Sequence, residues 1–460
     1  MSTGLSAQNT IGLVDFDPES MNDGYFLFYP ERQRSVFLMN ACGQVVHEWP
    51  DAQYYPSAGF RFLENGDIMR TGLDSASANQ TFNAGGTGQL VQRKNWDNEP
   101  LWEYTCSSDT ACMHHDIEVL PNGNVLIIVW ELKTIEQAVE AGKDTAGYTF
   151  DTVWPDKIIE VEPTGGHGGT IVWEWHAWDH LVQSYDDAKP NFGVVADHPE
   201  LIDINYPGSN VPDMYHINSV DYNPALDQIM LCTPFLNELW IIDHSTTTAE
   251  AAQHTGGNSG HGGDLLYRWG NPMTYGQGDL ADRELHFNHC ATWLGPDLPP
   301  NDPDVGKIMV FNNRLTVNTS SVDILIPPVD VNGVYTYTPG TPFEPADPEQ
   351  RFQTSDPTEF HSIIMGGAQK LPNGNIFICS SRGGWLFQLA PDTSIAWSYI
   401  NPFMGAGAAV QGTSPLGSGL VFHAFWVGPD HPGIQGHDLD PIGYIELEPN
   451  LTFCNLPTAV

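Results

Sequence analysis

Apolar and polar positions alternate along this chain in short runs, and one run recurs. GFRFLENGDIMRT (59–71), DIEVLPNGNVLII (116–128) and AQKLPNGNIFICS (368–380) each set apolar residues on both sides of an Asn-Gly pair. Asn and Gly tolerate the positive φ of a tight turn, so each run predicts a β-hairpin. SVDYNPALDQIMLCT (219–233) and ATWLGPDLPPNDPDVGKIMVFNN (291–313) read as versions with longer turns. Between these hairpins lies a second element, an apolar strand, a polar turn and a strand carrying Trp: FLMNACGQVVHEW (37–49), IIEVEPTGGHGGTIVWEW (158–175) and LFQLAPDTSIAWSYI (386–400). Alternating the two elements makes four-stranded antiparallel units. Helical periodicity is confined to 135–142 and 246–254. Many short strands punctuated by 45 Gly and 35 Pro define an all-β protein. Repetition of similar sheets favours a β-propeller over a pair of packed sandwiches, because radial repetition protects sheet edges. Residues 1–24 are read as an N-terminal extension and 25–460 as a single propeller domain.

Histidines fall at corresponding points of this repeat. His114 and His115 precede one LPNGN hairpin and His361 precedes the other. His216 and Asn218 precede the 219–233 hairpin, and His289 precedes the 291–313 hairpin. Equivalent positions on successive blades lie at one height around the axis, so these imidazoles are expected to converge on a central funnel. Converging imidazoles can ligate a metal or do nucleophilic and acid–base work. HExxH spacing is absent, which favours the second. Between His114 and His115 the choice stays open, because adjacent strand residues point to opposite faces.

Composition narrows the partners. With 17 basic against 57 acidic residues the formal charge is −40, which excludes nucleic acid as a partner. An anionic substrate requires a local cationic cluster. There is no apolar run of about 20 residues, so no membrane span is expected. GLSAQ (4–8) admits a reading as the tail of a removed signal peptide, and a secreted, periplasmic or cell-surface protein is expected. Cys106 and Cys112 are spaced for a local disulfide, Cys42 and Cys454 for one stapling the termini, and Cys232 and Cys379 read as buried thiols. No cofactor is expected. Calcium in acidic loops and a homodimer are both compatible with the composition, although no calcium-loop motif is present.

The segments HHDIEVLPNGNVL, VWEWHAWDHL, HINSVDYNPALDQI, IIDHSTTTAEAA, DLLYRWGNP, NHCATWL and GGAQKLPNGN together resemble the bacterial arylsulfate sulfotransferase family. That resemblance implies a six-bladed propeller. It also implies transfer of sulfuryl groups from an aryl sulfate donor to a phenolic acceptor, independent of PAPS, through a transiently sulfated histidine. Carried over, His289 is the nucleophile, His216 and Asn218 form the HxN motif, and His114 or His115 is the histidine ahead of the first LPNGN. One departure stands out: Pro234 and Phe235 occupy the positions where the family places an Arg and a polar residue. Arg314 and Arg382 are the candidate substitutes, with His361 beside them and Trp178 as a ring that could stack on substrate. The alternative reading is a non-catalytic secreted propeller serving as a binding module, and a third is sulfate- or phosphate-ester hydrolysis.

Overall fold

The computed structural model describes residues 9–206, 210–295, 298–405, 407–414 and 419–454; the GLSAQ stretch lies outside them. Six antiparallel sheets form a six-bladed β-propeller. Blade 1 comprises Val421–Val427, Tyr25–Pro30, Val36–Asn40 and Gln44–Trp49. Blade 2 follows with Tyr55–Phe62, Ile68–Leu73, Leu90–Lys94 and Pro100–Thr105, and blade 3 with Ala111–Val119, Val125–Glu131, Asp156–Pro163 and Gly169–His176. Ser219–Asn223, Gln228–Thr233, Glu238–Asp243 and Tyr267–Trp269 make blade 4. His289–Trp293, Ile308–Thr316, Thr319–Leu325 and Gln350–Phe352 make blade 5. Blade 6 is Gly367–Lys370, Ile376–Ser380, Trp385–Leu389 and Ile395–Ile400. The first strand of each blade neighbours that of the next, closing a ring around the axis.

The ring is closed twice. The C-terminal strand Val421–Val427 pairs with Tyr25–Pro30 as the inner strand of blade 1. Gly12–Phe16, from the segment assigned to the extension, adds a fifth strand outside Ile395–Ile400 of blade 6. A Cys42–Cys454 disulfide, 412 residues apart, ties the same region. Cys106 and Cys112 are both free: the Cys112 thiol turns to the Gly88 carbonyl, so the expected local disulfide does not form. Helices occur at Ile135–Glu140 and Thr248–Ala251, each opened by a capping box, Thr134 with Gln137 and Thr247 with Glu250. No helix among the described residues is long and apolar enough to cross a membrane.

The three Asn-Gly hairpins share one turn. In each the Leu N–H bonds the carbonyl four residues on, and only the Gly (Gly66, Gly123, Gly374) takes positive φ. This is a type I turn with a G1 bulge rather than a two-residue turn in which Asn also goes left-handed.

The Trp of the outer strands has a common task. Trp49, Trp102, Trp175, Trp269 and Trp397 each donate the indole N–H to a backbone carbonyl of the following blade, at Asn95, Gly168, Gly263, Pro345 and Ala41, over 2.7–3.1 Å. The ring fills the space between blades while its N–H satisfies a loop carbonyl that would otherwise be unpaired. Trp175→Phe keeps most of the apolar filling and removes that bond, so it is expected to cost about 1–3 kcal/mol. The urea midpoint reads this, and an unchanged midpoint would show that the bond contributes nothing.

Candidate active site

Four blades carry, within or just before the inner strand, a residue other than Gly at positive φ: His115 (55°), His216 (56°), Cys290 (47°) and Met365 (58°). Such backbone is costly and persists where surroundings enforce it, often at functional sites. It breaks strand alternation, which is why both members of the HisHis pair lie in one network. His114 is fully buried and stacked on Trp130, with centroids 3.8 Å apart. His115 meets His216 edge to face at 4.4 Å, and the two Nδ1 atoms of His114 and His115 are 2.8 Å apart. Gly86 makes room for this: a Cβ there would lie 2.3 Å from the His115 ring.

Each histidine has a defined support. His216 Nδ1 bonds Asp213, whose other oxygen accepts the Trp130 indole N–H at 3.1 Å. Asp213 thus holds the ring at Nδ1 with one oxygen and the Trp130 indole with the other, and His216 Nε2 has no hydrogen bond among the described residues. Asn313 donates its amide to the carbonyls of Ser362 (2.8 Å) and Met365 (2.6 Å), so its oxygen must be the acceptor facing His289 Nδ1 at 2.8 Å. His289 therefore carries its proton on Nδ1, and its Nε2 lone pair accepts the Met365 N–H at 3.1 Å. Burial, and then the charge of His216 and Arg314, hold His289 at about 3 despite its Asn313 and Phe287 partners. His114 and His115 lie well below the usual imidazole range, chiefly through burial. At neutral pH these three imidazoles are uncharged.

Asn218 donates its amide to the Asn288 carbonyl at 2.9 Å, and its buried oxygen has no partner. It braces the segment carrying His289. Phe235 lies flat on His216, with centroids 4.6 Å apart and planes within 5°. A ring thus covers His216 beside the position where the family's Arg is expected. Phe287 lies 6.0 Å from Phe235 and carries Arg314 over its face at 3.8 Å. Arg314 and Arg382 form no ion pair with a carboxylate among the described residues. Both depress the pKa of His361 after burial does, which places these three groups together, with Arg314 also acting on His289.

Three further residues are placed by the fold. His361 sits four positions before Met365, the residue at the strained point of blade 6, and joins the arginines rather than the histidine cluster. Trp178 packs on the core between blades 3 and 4 with Lys133 over it at 5.5 Å, and no contact joins it to the cluster. His423, unrecognised from sequence, lies on the closing strand with Nε2 3.5 Å from Cys290 Sγ. Burial, then Arg61 and His289, hold it at about 3. Outside the site, His180, His254 and Asp264 approach one another. His180 Nδ1 and Nε2 both face protein oxygens, at 2.7 and 2.8 Å, so both ring nitrogens are already engaged within the protein.

The six-bladed propeller thus gathers neutral imidazoles from several blades beside two arginines that form no ion pair among the described residues. The Arylsulfotransferase (ASST) family model matches residues 13–248; the chain belongs to the arylsulfotransferase family. The matched part includes His114, His115, His216 and Asn218 and ends before His289. No curated protein matches the chain. Among solved structures, it is similar to a protein of unknown function from Bacteroides caccae (11% identity, 88% of this chain and 98% of that one, TM-score 0.46). It is also similar to a catalytically inactive virginiamycin B lyase from Staphylococcus aureus (10%, 86% and 90%, TM-score 0.36). Neither likeness bears on chemistry.

Proposed function

We propose that this protein transfers sulfuryl groups from aryl sulfates to phenols through a sulfated histidine. The observation that carries the reading is the tautomer enforced on His289: with its proton tied to Asn313, the nucleophilic electron pair sits on Nε2 and stays unprotonated to low pH. Attack by Nε2 forms the S–N bond as the S–O bond breaks and its electrons leave on the phenolate oxygen. His115 or His216 supplies the proton to the phenolate, and the acceptor phenol reverses the sequence. Arg314 and Arg382 take the place of the missing family arginine as the cationic partners of the sulfuryl oxygens. His361 completes their patch. Asn218 acts by positioning.

The Met365 N–H must leave Nε2 before attack. That contact favours a second reading in which His216, whose Nδ1 is held by Asp213 and whose Nε2 is free, carries the sulfuryl group and His289 is structural. The Cys42–Cys454 disulfide and the acidic surface support a secreted or periplasmic location.

The test is p-nitrophenyl sulfate with and without phenol. Phenol-stimulated release of p-nitrophenol, with the sulfuryl group found on one histidine by mass spectrometry of quenched protein, is the expected result. Release that ignores phenol indicates hydrolysis, and no release leaves a binding module.

A further inference from the structure

The geometry points to Asp156 as the proton reservoir of the site, working through His114 and His115 as a relay. This rests on the sulfuryl-transfer reading and adds a part that the site residues above do not include. Asp156 is fully buried on the second blade 3 hairpin, opposite Trp130 in the sheet register. Its Oδ1 lies 2.9 Å from His114 Nε2, off hydrogen-bond alignment, and neither atom is hydrogen-bonded elsewhere among the described residues. No Lys or Arg pairs with it. Asp213 and Glu131 face it as like charges, and the peptide N–H groups of His216 and Ile217 act more weakly in the opposite direction. A carboxylate in such a place is costly, and the group resolves this by keeping its proton; burial and then Asp213 push it well above the usual carboxylate range.

A protonated Asp156 orders the rest of the chain. A rotation of the carboxyl aligns its O–H with His114 Nε2, 2.9 Å away, and His114 then carries its proton on Nδ1. That N–H points to His115 Nδ1 at 2.8 Å, which leaves His115 with its proton on Nε2 next to His216. When the S–O bond breaks, the His115 Nε2 proton passes to the phenolate oxygen. The His114 Nδ1 proton moves to His115 Nδ1, and the Asp156 proton moves to His114 Nε2. The products are a phenol and an Asp156 carboxylate, and both imidazoles end neutral. A site whose buried histidines resist protonation can thus still act as a general acid, because no imidazolium persists. The acceptor phenol returns its proton along the same atoms. Acid work in the first half-reaction and base work in the second thus both fall to His115 through Asp156, while Asp213 orients His216.

Asp156→Asn preserves shape and removes the transferable proton. With phenyl sulfate, whose leaving phenolate is basic, kcat/KM is expected to fall about 100-fold or more. With p-nitrophenyl sulfate, whose leaving group needs little protonation, the loss is expected to be at least tenfold smaller. His114→Gln, which keeps a polar group but cannot pass a proton, is expected to show the same asymmetry and decides the matter where Asp156→Asn does not fold. Equal losses with both donors overturn the relay and leave the transfer reading standing. A wild-type protein that transfers from neither donor overturns both.

Discussion

Replacing His289 with alanine is expected to abolish sulfuryl transfer, lowering kcat/KM about 1,000-fold or more, the scale for removing a covalent nucleophile. The deletion takes away the imidazole whose tautomer Asn313 dictates. Asn313→Leu tests that dictation separately. It leaves His289 in place but free to put its proton on Nε2, so kcat should drop, up to about 10,000-fold by analogy with a residue that holds a catalytic tautomer, with KM little changed. Because Asn313 also bonds Ser362 and Met365, circular dichroism and the urea midpoint must confirm that the variant is folded. Full activity in His289→Ala, with the sulfuryl label on His216, would establish the second reading and reduce His289 to a strut.

What the sequence could and could not disclose follows from where each contact is made. The hairpins and the Trp strands were legible because their signals are local: a Gly at one turn position, and an indole at a fixed place in each outer strand. The convergence of His115, His216 and His289 was legible as recurrence within the repeat. Their partners were not. Asp213 lies three residues before His216, but nothing in PDMYHIN distinguishes it from a loop aspartate. Asn313 stands beside the Arg314 that drew attention, and its role depends on loop carbonyls about 50 residues away. His423 enters the site only because Val421–Val427 closes the first blade, a topological fact with no residue signature. The Cys106–Cys112 pair misled for the opposite reason. A short Cys spacing suggests a local disulfide, while the fold leaves both as thiols.

The double variant Arg314→Ala, Arg382→Ala is expected to lose about 100-fold or more in kcat/KM for aryl sulfates, since a single donor to developing oxyanion charge is worth about that factor in comparable sites. The chain's formal charge of −40 repels an anionic donor everywhere else, so the local cations have to overcome the field as well as bind. Arg314 has the stronger claim. It is held flat on Phe287 at 3.8 Å with its Nε on the Ile363 carbonyl at 2.8 Å, which leaves the terminal nitrogens of its fork uncommitted, and it acts electrostatically on His289. Arg314→Lys should therefore recover only part of the loss, because lysine keeps the charge but neither the fork nor the stack. Both arginines are exposed, so raising ionic strength should raise KM in the wild type and have much less effect in the double variant. A double variant within twofold of wild type at low salt would mean that the site binds its sulfate without them. In that case the position vacated by Pro234 has no substitute, and the family's chemistry could not proceed here by the family's means.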